Sequence, residues 1–116
     1  MKDNFVRALL CDGQVMASAI SANDIVETAK KIHNTSPEAT AALGRLLVAG
    51  LLMCKRLKDS NETLTLIVKG GGPAGQLIVT ASSGGFVKGY IQNPHATAPL
   101  RADGKLNVGG IVGKEG

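Results

Sequence analysis

Three sets of residues in this 116-residue chain have types and spacing that could carry chemistry. Gly70, Gly72 and Gly75 satisfy the pattern GxGxxG directly after an apolar run. Where a helix follows such a loop, the glycines let a pyrophosphate approach the backbone at the positive helix end. Here the following residues, Gln76-Leu77-Ile78-Val79, read as a strand, so no helix dipole receives the anion. No Asp or Glu occurs from Thr63 to Ala102, so the acid that would hold a ribose is missing. No GKS or GKT supplies a phosphate-binding lysine either. The motif reads as a turn between strands. The histidines form the second set. General acid–base catalysis needs a titratable pair, and the acid-free span offers only His95 beside Pro94. His33 falls near the end of an expected helix, where an imidazole meets the negative helix end. Cys11 and Cys54, the third set, lie 43 positions apart without a CxxC or a neighbouring His. They are expected to be free, mostly buried thiols in a reducing compartment. No active site emerges, and the chain is not expected to be an enzyme.

Composition narrows the setting. A mass of 11.9 kDa suits a single domain, residues 1–116. With 44% hydrophobic and 19% charged residues the chain is globular rather than disordered. The net charge is +4, but Lys30–Lys31 and Lys55–Arg56 are the only adjacent basic pairs. The only aromatics are Phe5, Phe86 and Tyr90. A nucleic-acid binder concentrates cations and interleaves aromatics, so a solvated basic surface is the preferred reading. A basic β-rich nucleic-acid module stays as the alternative, with a small-molecule enzyme using the glycine loop behind it. Met1-Lys2-Asp3-Asn4 leads into no long apolar stretch, so no signal peptide is expected. Ala39 to Cys54 is 16 residues and contains Arg45, too short and charged to span a bilayer. A cytoplasmic protein is the expectation.

The elements that must position these groups follow from periodicity. Asn4 to Leu10 and Gln14 to Ile20 flank Asp12-Gly13, which predicts a hairpin closed by a two-residue turn. Ser21 or Asn23 is expected to cap a helix from Asp24 to His33. Ile25, Ala29 and Ile32 share one of its faces, and Glu27 and Lys31 can pair on the other. Ser36-Pro37-Glu38 starts a second helix running to about Leu57. That helix is apolar almost all round, so it is expected to be buried on most sides. Beyond Glu62 the period changes to two. Thr63 to Lys69, Gln76 to Ala81 and Phe86 to Gln92 read as three antiparallel strands joined by short glycine-rich turns. Lys105 to Val112 reads as the start of a further strand, and the end of the chain beside it suggests a fragment. Twelve of the fifteen glycines fall in the half from Gly70 onward, as expected for tight turns.

Two separated stretches are distinctive. They are Gly72-Pro73-Ala74-Gly75-Gln76-Leu77-Ile78-Val79-Thr80-Ala81 and Gly85-Phe86-Val87-Lys88-Gly89-Tyr90-Ile91-Gln92-Asn93-Pro94. With Ser36-Pro37, Ala41 to Leu47 and Gly104 to Gly110, they make the chain resemble the redox-regulated 33 kDa chaperonin family (heat shock protein 33). Lys88 stands where that family usually has Arg, and Ser82 where Asp is common. The resemblance implies an ATP-independent holdase in the cytoplasm that binds unfolding or misfolded client proteins under oxidative stress and forms a homodimer. It also implies a larger protein, of which this chain is part of the N-terminal core. The redox switch of the family is a C-terminal zinc site of four cysteines, in CxC and CxxC spacing, with its disulfides. Cys11 and Cys54 do not match it. No zinc and no redox disulfide is therefore expected at this chain, and, on the composition above, no other cofactor, nucleic acid or membrane.

The expected fold is α+β: an antiparallel sheet packed against a long buried helix, with an N-terminal β-hairpin and a second, shorter helix. Leu64, Leu66, Val68, Leu77, Val79, Ala81, Val87, Gly89 and Ile91 share the helix-covered face. On the opposite face Lys69, Gln76 and Lys88 need water, yet Ile67, Ile78, Phe86 and Tyr90 sit among them. These four are the candidate client-binding surface. A dimer or packing face with no client role is the competing reading of the same residues.

Overall fold

The protein is described by a computed structural model over residues 3–115. The elements are β1 (Phe5–Leu10), β2 (Val15–Ile20), α1 (Asn23–His33), α2 (Pro37–Cys54), β3 (Thr63–Lys69), β4 (Gln76–Ser82), β5 (Val87–Ile91) and α3 (Val108–Val112). β1 and β2 form a two-stranded antiparallel sheet, and β3-β4-β5 a separate three-stranded antiparallel one. The α+β architecture is the expected one.

α2 lies across the inner face of the larger sheet. Ser36 caps it, its hydroxyl accepting from Ala39 N at 3.2 Å, with Pro37 in the tolerant first turn. Leu43 and Leu47 pack with Leu77 and Val79 of β4 and Ile91 of β5, while Leu51 and Cys54 pack with Ala81. Gly50 permits this approach, since a Cβ there would lie 2.9 Å from Val79 Cγ1. The helix stops at Cys54, three residues short of Leu57. Its burial is one-sided: Arg45 and Met53 are exposed and Ala41, Val48 and Leu52 only half-buried. The long buried helix is the expected one, and its outer surface stays half-buried where α1 does not cover it.

α1 is capped from a distance. Its N-cap is Ala22, not Ser21 or Asn23, and no side chain caps it locally. Instead the Asp3 carboxylate accepts from Asp24 N (3.1 Å) and Ile25 N (2.9 Å). Ser21 is used elsewhere, its hydroxyl accepting from Asn4 N. Ile25 and Ala29 reach the core, but Ile32 is 71% exposed. Glu27 and Lys31 do not pair; among the described residues the ion pair is Arg101–Asp103 at 3.2 Å.

The hairpin closes through four residues, Cys11 to Gln14, rather than two. Leu10 pairs with Val15, and Cys11, Asp12 and Gly13 all have positive φ. Cys11 is therefore exposed at the turn, against the expectation of two buried thiols, while Cys54 is buried. Only the base of the hairpin is tied down. Arg7 donates to the carbonyl of Lys55 at 2.9 Å, and Phe5 lies under both the Arg7 and Lys55 cations, 5.8 and 5.7 Å away. The radius of gyration, 15.3 Å, exceeds the roughly 13 Å of a compact chain of this length, consistent with a projecting arm.

The last expected strand is a helix. Asn107 caps α3 by accepting from Gly110 N, and residues 111–115 then lie along the glycine loop. Gly72 N donates to Val112 O (3.0 Å), Ala74 N to Ile111 O (2.8 Å) and Glu115 N to Gly70 O (2.9 Å). A Cβ on Gly70 or Gly72 would strike the backbone of residues 111–113, and one on Gly113 would strike Gly70. Of the glycines that mimic a nucleotide loop, Gly70 and Gly72 admit another stretch of backbone and Gly75 the side chain of Gln92.

Candidate functional site

The outer face of β3-β4-β5 is set by register. Ile67 pairs with Ile78, and Ile78 with Tyr90, so the three side chains form one row across the sheet. With strands about 4.8 Å apart, the row is roughly 10 Å wide. Below it runs Thr65–Thr80–Lys88, with the two threonine hydroxyls 3.4 Å apart. Above it Lys69 pairs with Gln76. Ile67 is 55% and Tyr90 48% exposed, and Ile78 between them is half-covered by its neighbours. Among the described residues no element packs on this face. An apolar row framed by hydroxyls, amides and ammonium groups stays wet at its margins and offers contact at its centre.

Phe86 does not join the row. It precedes β5, opposite Ser82, four residues from Tyr90, or about 13 Å along an extended strand. It is 77% exposed and stands at the rim of a groove between α1 and β5. The structure thus brings together Ile67, Ile78 and Tyr90 and sets Phe86 apart.

The titratable groups are scattered. His33 ends α1 and His95 is exposed in the loop after β5. Glu38 is buried in the first turn of α2, its Oε2 without a hydrogen-bond partner. Among the described residues no three His, Cys, Asp or Glu side chains come together as a metal site would require. The glycine loop leads into β4, not a helix. Sequence reasoning missed the hairpin as a second apolar surface. Val6, Ala8, Leu10, Val15, Ala17 and Ala19 share one face by cross-strand pairing, and all six are exposed. The signal was present as apolar residues on both parities of β1.

A family model described as Hsp33 protein matches residues 3–116. The chain belongs to the Hsp33 family. It is 47% identical over its whole length to a 33 kDa chaperonin of Clostridium botulinum strain Langeland, covering 39% of that relative. A 33 kDa chaperonin of Clostridium perfringens strain 13 is also 47% identical, with 37% of its length covered. Among solved structures, the crystal structure of the 33 kDa chaperonin (heat shock protein 33 homolog) from Thermotoga maritima superposes with a TM-score of 0.88 at 32% identity. The match takes in 94% of this chain and 37% of that one. The chain thus spans under two-fifths of the length of these Hsp33 relatives.

Proposed function

We propose that this chain is a chaperone module that holds unfolding or misfolded client proteins without ATP and without catalysis, in the cytoplasm and under oxidative stress. The observation that carries this reading is the uncovered row Ile67–Ile78–Tyr90. Unfolded chains are recognised by exposed apolar segments, and such a surface needs apolar area rather than reactive groups. Family membership and the names of the relatives support it. The same face suits a homodimer contact, which would hide it until clients compete. Neither nucleic acid nor membrane enters the proposal.

Redox control, in this reading, belongs to a four-cysteine zinc site outside the present residues. The side chains here do not fit one, because Cys11 sits at an exposed turn and Cys54 in the core. When bound, such a zinc would hold thiolates; no step of the proposal runs through it. Suppression of aggregation by this chain is accordingly expected to be equal with peroxide and with reductant. A large gain on oxidation would assign a role to Cys11.

The deciding experiment uses Ile78→Asp and Phe86→Ser. Each variant is checked for an unchanged melting temperature, then assayed for suppression of a thermally aggregating client. Ile78→Asp, at the centre of the row, is expected to lose most of the suppression. Undiminished suppression in a folded Ile78→Asp variant would remove the row as the client surface. Phe86→Ser, outside the row, is expected to keep most of the suppression, and an equal loss in both variants would extend the client surface beyond the row.

A further inference from the structure

β5 is an edge of its sheet, with β4 on one side only. Two hydrogen bonds fix which of its backbone groups face inward. Ser82 N donates to Phe86 O at 2.9 Å and Gln92 N to Gln76 O at 3.0 Å. With the register of the pair, residues 86, 88, 90 and 92 face β4. Val87 and Gly89 therefore direct N–H and C=O away from the sheet, and these groups find no partner among the described residues. Beside this edge lies a groove of about 440 Å³. Ile25, Ala29 and Ile32 of α1 form its far wall, and Leu47 of α2 lies between them and β5. Ile32, on the same helix face as Ile25 and Ala29, is exposed because it faces this groove.

We infer that the open edge of β5 and this groove take up an extended segment of an unfolded client by strand addition. The inference deepens the chaperone reading and rests on it. Alternating donors and acceptors repeating every two residues are complemented by one structure, an extended backbone. The apolar wall complements side chains that such a strand would direct toward α1. The presence of α1 decides between occupants. With α1 on its far side the groove holds about 440 Å³, room for a short extended stretch of one chain rather than for the packed layers of a second folded sheet. Backbone pairing is also indifferent to sequence, which suits a surface that must accept many clients.

The test measures binding of a fluorescein-labelled octapeptide of alternating Val and Thr with terminal lysines to the 116-residue chain by anisotropy. It is repeated with the same peptide N-methylated throughout its central residues. Loss of two or more backbone hydrogen bonds is expected to weaken binding about tenfold or more. Val87→Pro removes one outward N–H while leaving the bonds from Lys88 and Tyr90 to β4, a placement proline tolerates on edge strands. It is expected to weaken the unmethylated peptide about threefold to tenfold. Should Val87→Pro fail to fold, the methylated and unmethylated peptides on the unaltered chain decide alone. Equal affinity for the two peptides, undiminished binding by a folded Val87→Pro variant, or no binding of either peptide overturns strand addition. The chaperone reading is decided separately, by the aggregation assay on Ile78→Asp.

Discussion

In the three-stranded sheet, α2 covers one face, and Leu77, Val79, Ala81 and Ile91 on it are buried. In the N-terminal hairpin, six apolar residues also share a face, yet all of them are exposed. The two regions are made of similar residues in similar pairing. What differs is the second layer, since among the described residues the hairpin meets the body near its base, through Phe5, Arg7 and Ile20. A two-stranded ribbon is marginal in water on its own. Apolar alternation specifies strands, while a packed partner decides whether those strands become core.

The sharpest way to break this contrast is Leu43→Ala. Leu43 is 1% exposed at the centre of the core, so its truncation is expected to cost about 2–5 kcal/mol. Urea unfolding would register this as a large drop in midpoint with little change in slope. A loss below about 1 kcal/mol would mean that α2 is not the main cover of the sheet.

Next in size is Gly72→Ala. Its methyl would meet the backbone around Ile111 and Gly113, which cannot yield as a side chain can. The expected cost is about 1–3 kcal/mol, with loss of hydrogen-exchange protection at Ala74, whose amide is bonded to Ile111. Full protection in a destabilised variant would separate the loop from α3.

Asp3→Ala probes the seam between hairpin and body. It removes the acceptor for two N–H groups at the start of α1, at an expected cost of about 0.5–2 kcal/mol. Amide exchange in α1 is expected to quicken more than in α2. The smallest effect belongs to the arm itself. Leu9 is 68% exposed, and Leu9→Thr is expected to shift stability by no more than about 0.5 kcal/mol. A cost like that of Leu43→Ala would show that the hairpin packs in solution against something else.

Much of the body was legible beforehand. The period-two runs placed β3, β4 and β5 and their inner face, and Ser36-Pro37-Glu38 placed the start of α2. The row Ile67–Ile78–Tyr90 followed in part, because alternation fixes a face. Alignment of its members needed the register, which depends on turn lengths. Phe86 falls outside the row because it stands just before β5, opposite Ser82 and next to the turn of residues 83–85. α3 was illegible in a deeper sense. Val108-Gly109-Gly110-Ile111-Val112 has poor helix propensity, and its conformation comes from the Asn107 cap and from backbone bonds to residues 70–74. Asp3 as a cap for α1 was likewise invisible, being some twenty positions away in sequence.

The contact between the glycine loop and residues 111–115 also has a consequence for the order of assembly. Its partners lie about forty residues apart, so closing it carries a loop entropy that the hairpins do not face. During synthesis, β3, β4 and β5 leave the ribosome first, with the amides of Gly72 and Ala74 still open to water. Until Ile111 and Val112 arrive, those two amides have no carbonyl to donate to. Removal of residues 108–116 is therefore expected to abolish hydrogen-exchange protection at Gly72 and Ala74, whose acceptors are Val112 O and Ile111 O.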